Sequence, residues 1–221
     1  MDTQRHQTTR TDNRIGLARV ALGALGLAPL AVLTWRAFTD DLGANPIETV
    51  ERFTGWWTLT LLMVTLAVTP IRLLTGWTTI TRLRRMLGLF AFFWACLHLS
   101  AYAGLDQFFA LKDIVKDVAK RPYITVGFTT FLLLLPLAVT STDRMIRRLG
   151  GARWRKLHRL AYVAAAGGVL HFLWLVKADI ARPFLFASVL IVLLAVRLRK
   201  PVAGKARPSE SGDLLETRRA A

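Results

Sequence analysis

Apolar residues recur along the chain in blocks of about 18–22, each long enough to cross roughly 30 Å of hydrocarbon at about 1.5 Å per residue. Short polar segments separate them. The blocks predict helices that span a membrane over residues 16–35, 55–75, 86–104, 123–141, 157–176 and 183–197. No longer internal repeat is visible. The pattern therefore predicts an all-α integral membrane protein, a six-transmembrane-helix bundle. Residues 1–14 read as a polar N-terminal tail and 15–200 as one membrane domain. The stretch 201–221, with Pro201, Lys205, Pro208, Ser209, Ser211 and Gly212, reads as a disordered polar tail. A cleaved signal peptide is not expected, because the first block has no small-residue cleavage site before the next segment.

Composition agrees: 53% of the 221 residues are hydrophobic and the mean hydropathy is +0.40. The net charge of +16 would suggest nucleic acid on a soluble protein. Its placement gives another reason. With both termini in the cytoplasm (N-in/C-in), the inner segments hold 22 of the 30 Lys and Arg, including Arg72, Arg82, Arg84, Arg85 and a dense run from Arg144 to Arg159. The outer segments are balanced at eight basic and eight acidic residues. This is the positive-inside distribution, and it removes the need for nucleic acid as a partner. Trp35, Trp56, Trp57, Trp77, Trp154 and Trp174 fall near the expected interfaces, where amphipathic rings anchor helices in lipid. Cys96 is the only cysteine, so neither a disulfide framework nor covalent attachment of haem through paired cysteines is available.

Four histidines carry the candidate chemistry. His6 lies in the N-terminal tail. His98, His158 and His171 lie in or at the ends of spans, where an ionisable side chain is costly and points to function. Counting from the cytoplasmic ends of their helices, His98 lies about 18 Å deep and His171 about 22 Å deep. Two neutral imidazoles at matched depth on different helices suit the axial positions of a haem iron. Ala91 and Ala95 precede His98, and Ala164, Gly167 and Gly168 precede His171, at offsets that share each histidine's face. Small residues on a membrane helix often mean close packing, but small faces on both helices, each ending in a histidine at matched depth, favour room for a flat ligand such as haem.

His158 sits thirteen residues before His171, about 20 Å away and about 140° around the helix. It is either a ligand for a second haem or a structural hydrogen-bonding residue at the membrane surface. Arg84, fourteen residues before His98, is only about 40° out of register with it, but a guanidinium stays protonated and is a poor iron ligand. Two other functions remain open on these residues: a proton relay through intramembrane histidines, and a structural anchor. The scarcity of carboxylates within the spans disfavours the relay.

The stretches RRMLGLFAFFWACLHLSAY and RWRKLHRLAYVAAAGGVLHFLW resemble the MsrQ (YedZ) family, and the likeness extends over about residues 15–200. A more distant resemblance is to the ferric reductase-like transmembrane domain. The resemblance implies a haem b electron-transfer subunit in the bacterial inner membrane, binding one or two haems. It implies His98 and His171 as iron ligands, and His158 as a further haem-associated residue. Electrons would come from the quinone pool or a cytosolic flavin reductase. They would pass to a periplasmic molybdopterin reductase of the MsrP kind, which repairs methionine sulfoxide. The resemblance also brings FMN as a possible cofactor, for which the chain offers no glycine-rich phosphate cradle. The chain would carry no substrate-reducing site of its own. Related functions in the same class are a cytochrome b for another periplasmic reductase and a metal reductase. Lys177 and Arg182 are candidates to pair haem propionates, or ordinary interfacial charges.

Overall fold

The computed structural model describes residues 2–176 and 179–198, with side chains from Ile15 onward. Lys177 and the tail 201–221 lie outside the described residues. Among the described residues every regular element is helical.

Helix α1 runs from Asp2 to Phe38, so the helix extends back through the stretch expected to be a tail. Helix α2, Pro46–Thr75, begins nine residues before the apolar block does. Its start is set by polar chemistry. The Asn45 side chain accepts from the Glu48 N–H, Pro46 takes the first helical position, and Glu48 lies in the first turn. Gly76 ends α2 in the left-handed region at φ 71°, and its N–H returns to the Arg72 carbonyl. A 3₁₀ turn, Thr78–Leu83, leads into α3, Arg84–Ala101, which closes with a π-type turn over Tyr102–Asp106. A short amphipathic helix, α4, Leu111–Lys120, precedes α5, Pro122–Val139.

The basic run from Arg144 to Arg159 folds largely as two short helices, α6, Asp143–Leu149, and α7, Gly151–Leu157. The expected span 157–176 is interrupted at its start. A tight turn through His158 and Arg159 separates α7 from α8, Leu160–Leu175. Helix α9, Ala181–Leu198, is last. Five segments are long and apolar enough to cross a membrane: Ile15–Phe38, Pro46–Thr75, Thr78–Asp106, Pro122–Val139 and Ala181–Leu198. With 16 residues, α8 is the shortest of the apolar helices.

The helices associate in two close pairs, α2 with α3 and α5 with α8, and α9 packs across α2 and α8. Gly88, Ala91 and Ala95 recur on one face of α3, and a Cβ at Gly88 would meet the Thr65 methyl of α2 at 3.6 Å. That small face lets α3 approach α2 closely. Trp94, fully buried, centres the aromatic part of the core, with the rings of Trp57, Phe53 and Phe93 at 6.1, 6.2 and 6.2 Å. Between the start of α3 and the start of the short helix after α5, Arg85 bridges to Asp143 and holds that carboxyl below its usual range. The bridge therefore stands at neutral pH and fails as pH falls through the lowered value; being exposed, it adds little.

Arg197, in the last turn of α9, ties three helices together. Its guanidinium donates to the Tyr162 hydroxyl of α8 and to the Leu66 carbonyl of α2. Leu66 lies four residues before Pro70, which has no N–H, so its carbonyl lacks the normal intrahelical donor. Arg197 supplies the missing donor in a region where water cannot. Arg197→Met is expected to cost about 2 kcal/mol, read from thermal unfolding in detergent. Pro70→Ala restores a backbone N–H and should recover much of that loss in the double variant. An equal cost of Arg197→Met in both backgrounds would contradict the assignment.

Candidate functional site

His98 and His171 come from the two helix pairs, and the structure brings them together. Their ring centroids are 6.2 Å apart, with planes inclined at 69°. Each ring is held from behind by the helix paired with its own. His98 Nδ1 lies 3.1 Å from the Glu51 carbonyl and 3.3 Å from Thr54 Oγ1 on α2. His171 Nδ1 lies 2.7 Å from the Tyr123 carbonyl on α5. A carbonyl can only accept, so Nδ1 carries the proton in both rings. In the neutral imidazole Nε2 then keeps its lone pair. A histidine that donates through one nitrogen and keeps a lone pair on the other has the protonation that a metal ligand requires.

The distance between the rings fits that chemistry. A metal–imidazole bond is about 2 Å, and the ring centre lies about 1 Å behind the nitrogen. Two imidazoles on opposite sides of one metal atom therefore have centres about 6 Å apart, close to the separation found. Beside them, Glu51 Oε1 is buried without a hydrogen-bond partner among the described residues, an unusual state for a carboxyl group.

Residues 54–169 match the family described as ferric reductase like transmembrane component. The chain is 56% identical over 186 residues to the protein-methionine-sulfoxide reductase heme-binding subunit MsrQ of Rhodospirillum rubrum, covering 84% of this chain and 89% of that protein. The MsrQ of Herminiimonas arsenicoxydans is 51% identical, with 84% and 86% covered, and that of Azospira oryzae 49%, with 85% and 81% covered. The chain belongs to the MsrQ family. It is accordingly a multi-pass membrane protein with a ferric reductase-like domain, and the resemblance read from its histidine-bearing stretches is established.

The third histidine of this MsrQ-family chain is built differently. His158 stacks on Trp154, with centroids 3.9 Å apart, and its Nε2 lies 3.2 Å from Thr140 Oγ1. The Thr140 hydroxyl donates its one proton to the Pro136 carbonyl at 2.6 Å, so His158 Nε2–H is the donor to Thr140. Trp154 Nε1 also donates to the Thr140 carbonyl at 2.9 Å. The free lone pair is then on Nδ1. Arg84 is near enough to act on His158 electrostatically. No second imidazole faces His158 among the described residues.

The small residues expected to make room for a flat ligand lie at helix contacts. Ala91 and Ala95 are buried on the α3 face that approaches α2, and Ala164 is fully buried. At Gly167 a Cβ would stand 2.3 Å from Thr130 Oγ1 of α5, and at Gly168 3.2 Å from Leu59 Cδ1 of α2. Both glycines serve packing between helices at these contacts. Arg182 stacks over Trp56 at 6.0 Å and pairs with Asp179 at 3.7 Å.

The sequence reading missed the residues behind the two facing histidines. A Cβ at Gly55 would lie 3.1 Å from His98 Cε1, and one at Gly127 2.7 Å from His171 Nδ1. Each glycine follows by four residues the carbonyl that receives the proton, Glu51 to Gly55 and Tyr123 to Gly127. Each is also the only glycine of its helix. That is the available signal: a lone glycine inside a helix costs about 1 kcal/mol against alanine and calls for a reason. Gly127→Ala is expected to lower the unfolding midpoint clearly, because its clash is with ring atoms pinned by a short hydrogen bond. At Gly55 the looser contact and the gain in helix propensity should leave a smaller change. Thermal unfolding of the two variants side by side tests this order.

Proposed function

We propose that this chain is the haem-binding membrane subunit of a protein-methionine-sulfoxide reductase system, delivering electrons to a separate periplasmic molybdopterin reductase of the MsrP kind. The observation that carries the reading is the His98–His171 pair, with both Nδ1 protons given to backbone carbonyls and ring centres 6.2 Å apart. The relatives in Herminiimonas arsenicoxydans and Rhodospirillum rubrum, both named heme-binding subunits, point the same way.

A b-type haem held there would supply reversible one-electron transfer within the low-dielectric interior. The chain's own work is positional. The Glu51 and Tyr123 carbonyls fix the tautomer and plane of each ring, and Gly55 and Gly127 let the rings reach those carbonyls. The helix pairs α2–α3 and α5–α8 hold the two rings at one separation. His158, with its Nδ1 lone pair and Arg84 nearby, is the place for a second haem of unlike ligation. Arg182, beside Trp56, is placed to meet an anionic propionate.

The bundle is read as six spans with both termini cytoplasmic. Helix α8 then crosses with about 24 Å of length, and the basic segments all fall on one side. In a bacterial inner membrane the His98–His171 site lies toward the periplasm and His158 toward the cytoplasm. Electrons enter from the quinone pool or a cytosolic flavin reductase, with FMN as a further carrier, and leave toward the MsrP-like partner.

The reduced-minus-oxidised absorbance spectrum of the purified protein tests this directly. Sharp b-type bands are expected. They should vanish in His98→Ala and in His171→Ala, and weaken or shift in His158→Ala. A folded, colourless protein produced with ample haem would overturn the electron-transfer reading and return the histidines to proton relay or packing.

A further inference from the structure

Between α3 and α5 the chain does not simply turn. After the π-type turn it passes Phe108 and Phe109, both at positive φ (46° and 57°), and then forms α4. Positive φ is unfavourable for bulky residues and persists only where the surroundings hold it. Here it displays two aromatic rings that are 79% and 72% exposed. The Phe109 ring also covers Gly104, where a Cβ would meet it at 3.0 Å.

Helix α4 has three distinct faces at about 100° per residue. Ile114, Val118 and Asp117 turn inward. Asp117 accepts from Tyr102 at 3.3 Å and from Gln107 at 3.5 Å, and pairs with Arg121 at 3.4 Å, so α4 is pinned to both neighbouring segments. Leu111 and Val115 form the second face and stay 74% and 68% exposed, following the two exposed phenylalanines along the chain. Lys112, Lys116 and Lys120 form the third, bordering the apolar strip at four-residue intervals. These lysines make no ion pair among the described residues.

We propose that α4, with Phe108 and Phe109, is an interfacial helix seated in the surface of the phospholipid bilayer. Its apolar strip enters the boundary between headgroups and acyl chains, and its three lysines pair with lipid phosphates. Chain connectivity names the occupant. The segment Thr78–Asp106 ends five residues before α4, and Pro122–Val139 starts two residues after it. Both are long and apolar enough to cross the membrane, so the helix between them is tethered at the bilayer surface. An apolar strip edged with lysine matches that surface in chemistry. The strained aromatic turn is then held by burial of both rings in the interface. This inference does not depend on the haem reading.

The test is site-directed spin labelling of the full chain in phospholipid vesicles, with Cys96→Ala removing the native thiol. Single labels go at Phe108→Cys, Leu111→Cys, Val115→Cys, Lys112→Cys, Asp113→Cys and Lys116→Cys. Collisional access to oxygen, which partitions into lipid, is compared with access to a water-soluble nickel chelate. The labels at 108, 111 and 115 are expected to favour oxygen severalfold over those at 112, 113 and 116. Equal access to the nickel chelate at all six sites would place α4 in water and overturn the proposal. So would shielding of 111 and 115 from both reagents, which would mean that protein covers the strip. Nickel access at those sites that disappears only on adding a soluble periplasmic partner would assign the strip to that partner instead. Each labelled site reports alone, so loss of one variant leaves the comparison intact.

Discussion

A hydrocarbon interior offers no water to complete a hydrogen bond, and this constraint organises the whole bundle. The structure answers it with side chains that serve backbone groups of distant helices. Arg197 donates to the Leu66 carbonyl that Pro70 leaves without a partner. Trp94 Nε1 donates to the Gly26 carbonyl at 3.0 Å, in the turn before Pro29 where proline disturbs the helical ladder. Thr58, Thr65 and Thr140 turn their hydroxyls back on carbonyls four residues earlier, at 2.9, 2.7 and 2.6 Å.

His98 and His171 are further cases of the same rule, and their chemistry follows from it. An imidazole in lipid must dispose of one N–H. Giving that proton to a carbonyl on the paired helix fixes the tautomer, orients the plane and leaves one nitrogen basic. The same arrangement occurs twice, on α2 behind α3 and on α5 behind α8, in each case with a glycine four residues past the accepting carbonyl. No repeat of the sequence announces this. It is a repeated solution to one problem of hydrogen bonding and clearance.

That explains what the sequence could reveal. Long apolar blocks are set by membrane thickness, so five of the expected spans correspond to segments of spanning length, although two of these, Pro46–Thr75 and Thr78–Asp106, begin eight or nine residues early. The meeting of His98 and His171 was legible because helical rise converts sequence position into depth. The early start of α2 was not, since Pro46 to Thr54 is polar and its helix is fixed by a cap, yet those turns carry the support for His98. At the break before α8, Trp154 stands one helical turn from His158, but Thr140 is eighteen residues away and no local pattern links it to that histidine. The small residues were seen, but spacing alone does not say whether a small face meets a ligand or a neighbouring helix. At Gly167 and Gly168 the neighbour is helix, through Thr130 and Leu59.

The two histidine centres are chemically unequal, and this bears on any path between them. At one end two imidazoles face each other, each with Nε2 unprotonated. At the other, His158 uses Nε2–H on Thr140, lies flat on Trp154 and faces the field of Arg84. A group bound there meets one imidazole nitrogen, Nδ1, and a cation that resists becoming a ligand because it stays protonated. His158 thus offers one neutral nitrogen in positive surroundings, whereas His98 and His171 offer two neutral imidazoles, each braced by a backbone carbonyl. The asymmetry is fixed by Thr140, Trp154 and the field of Arg84 around His158, so the two ends of the bundle present different chemistry: one imidazole nitrogen beside a cation, and two neutral imidazoles where the helix pairs meet.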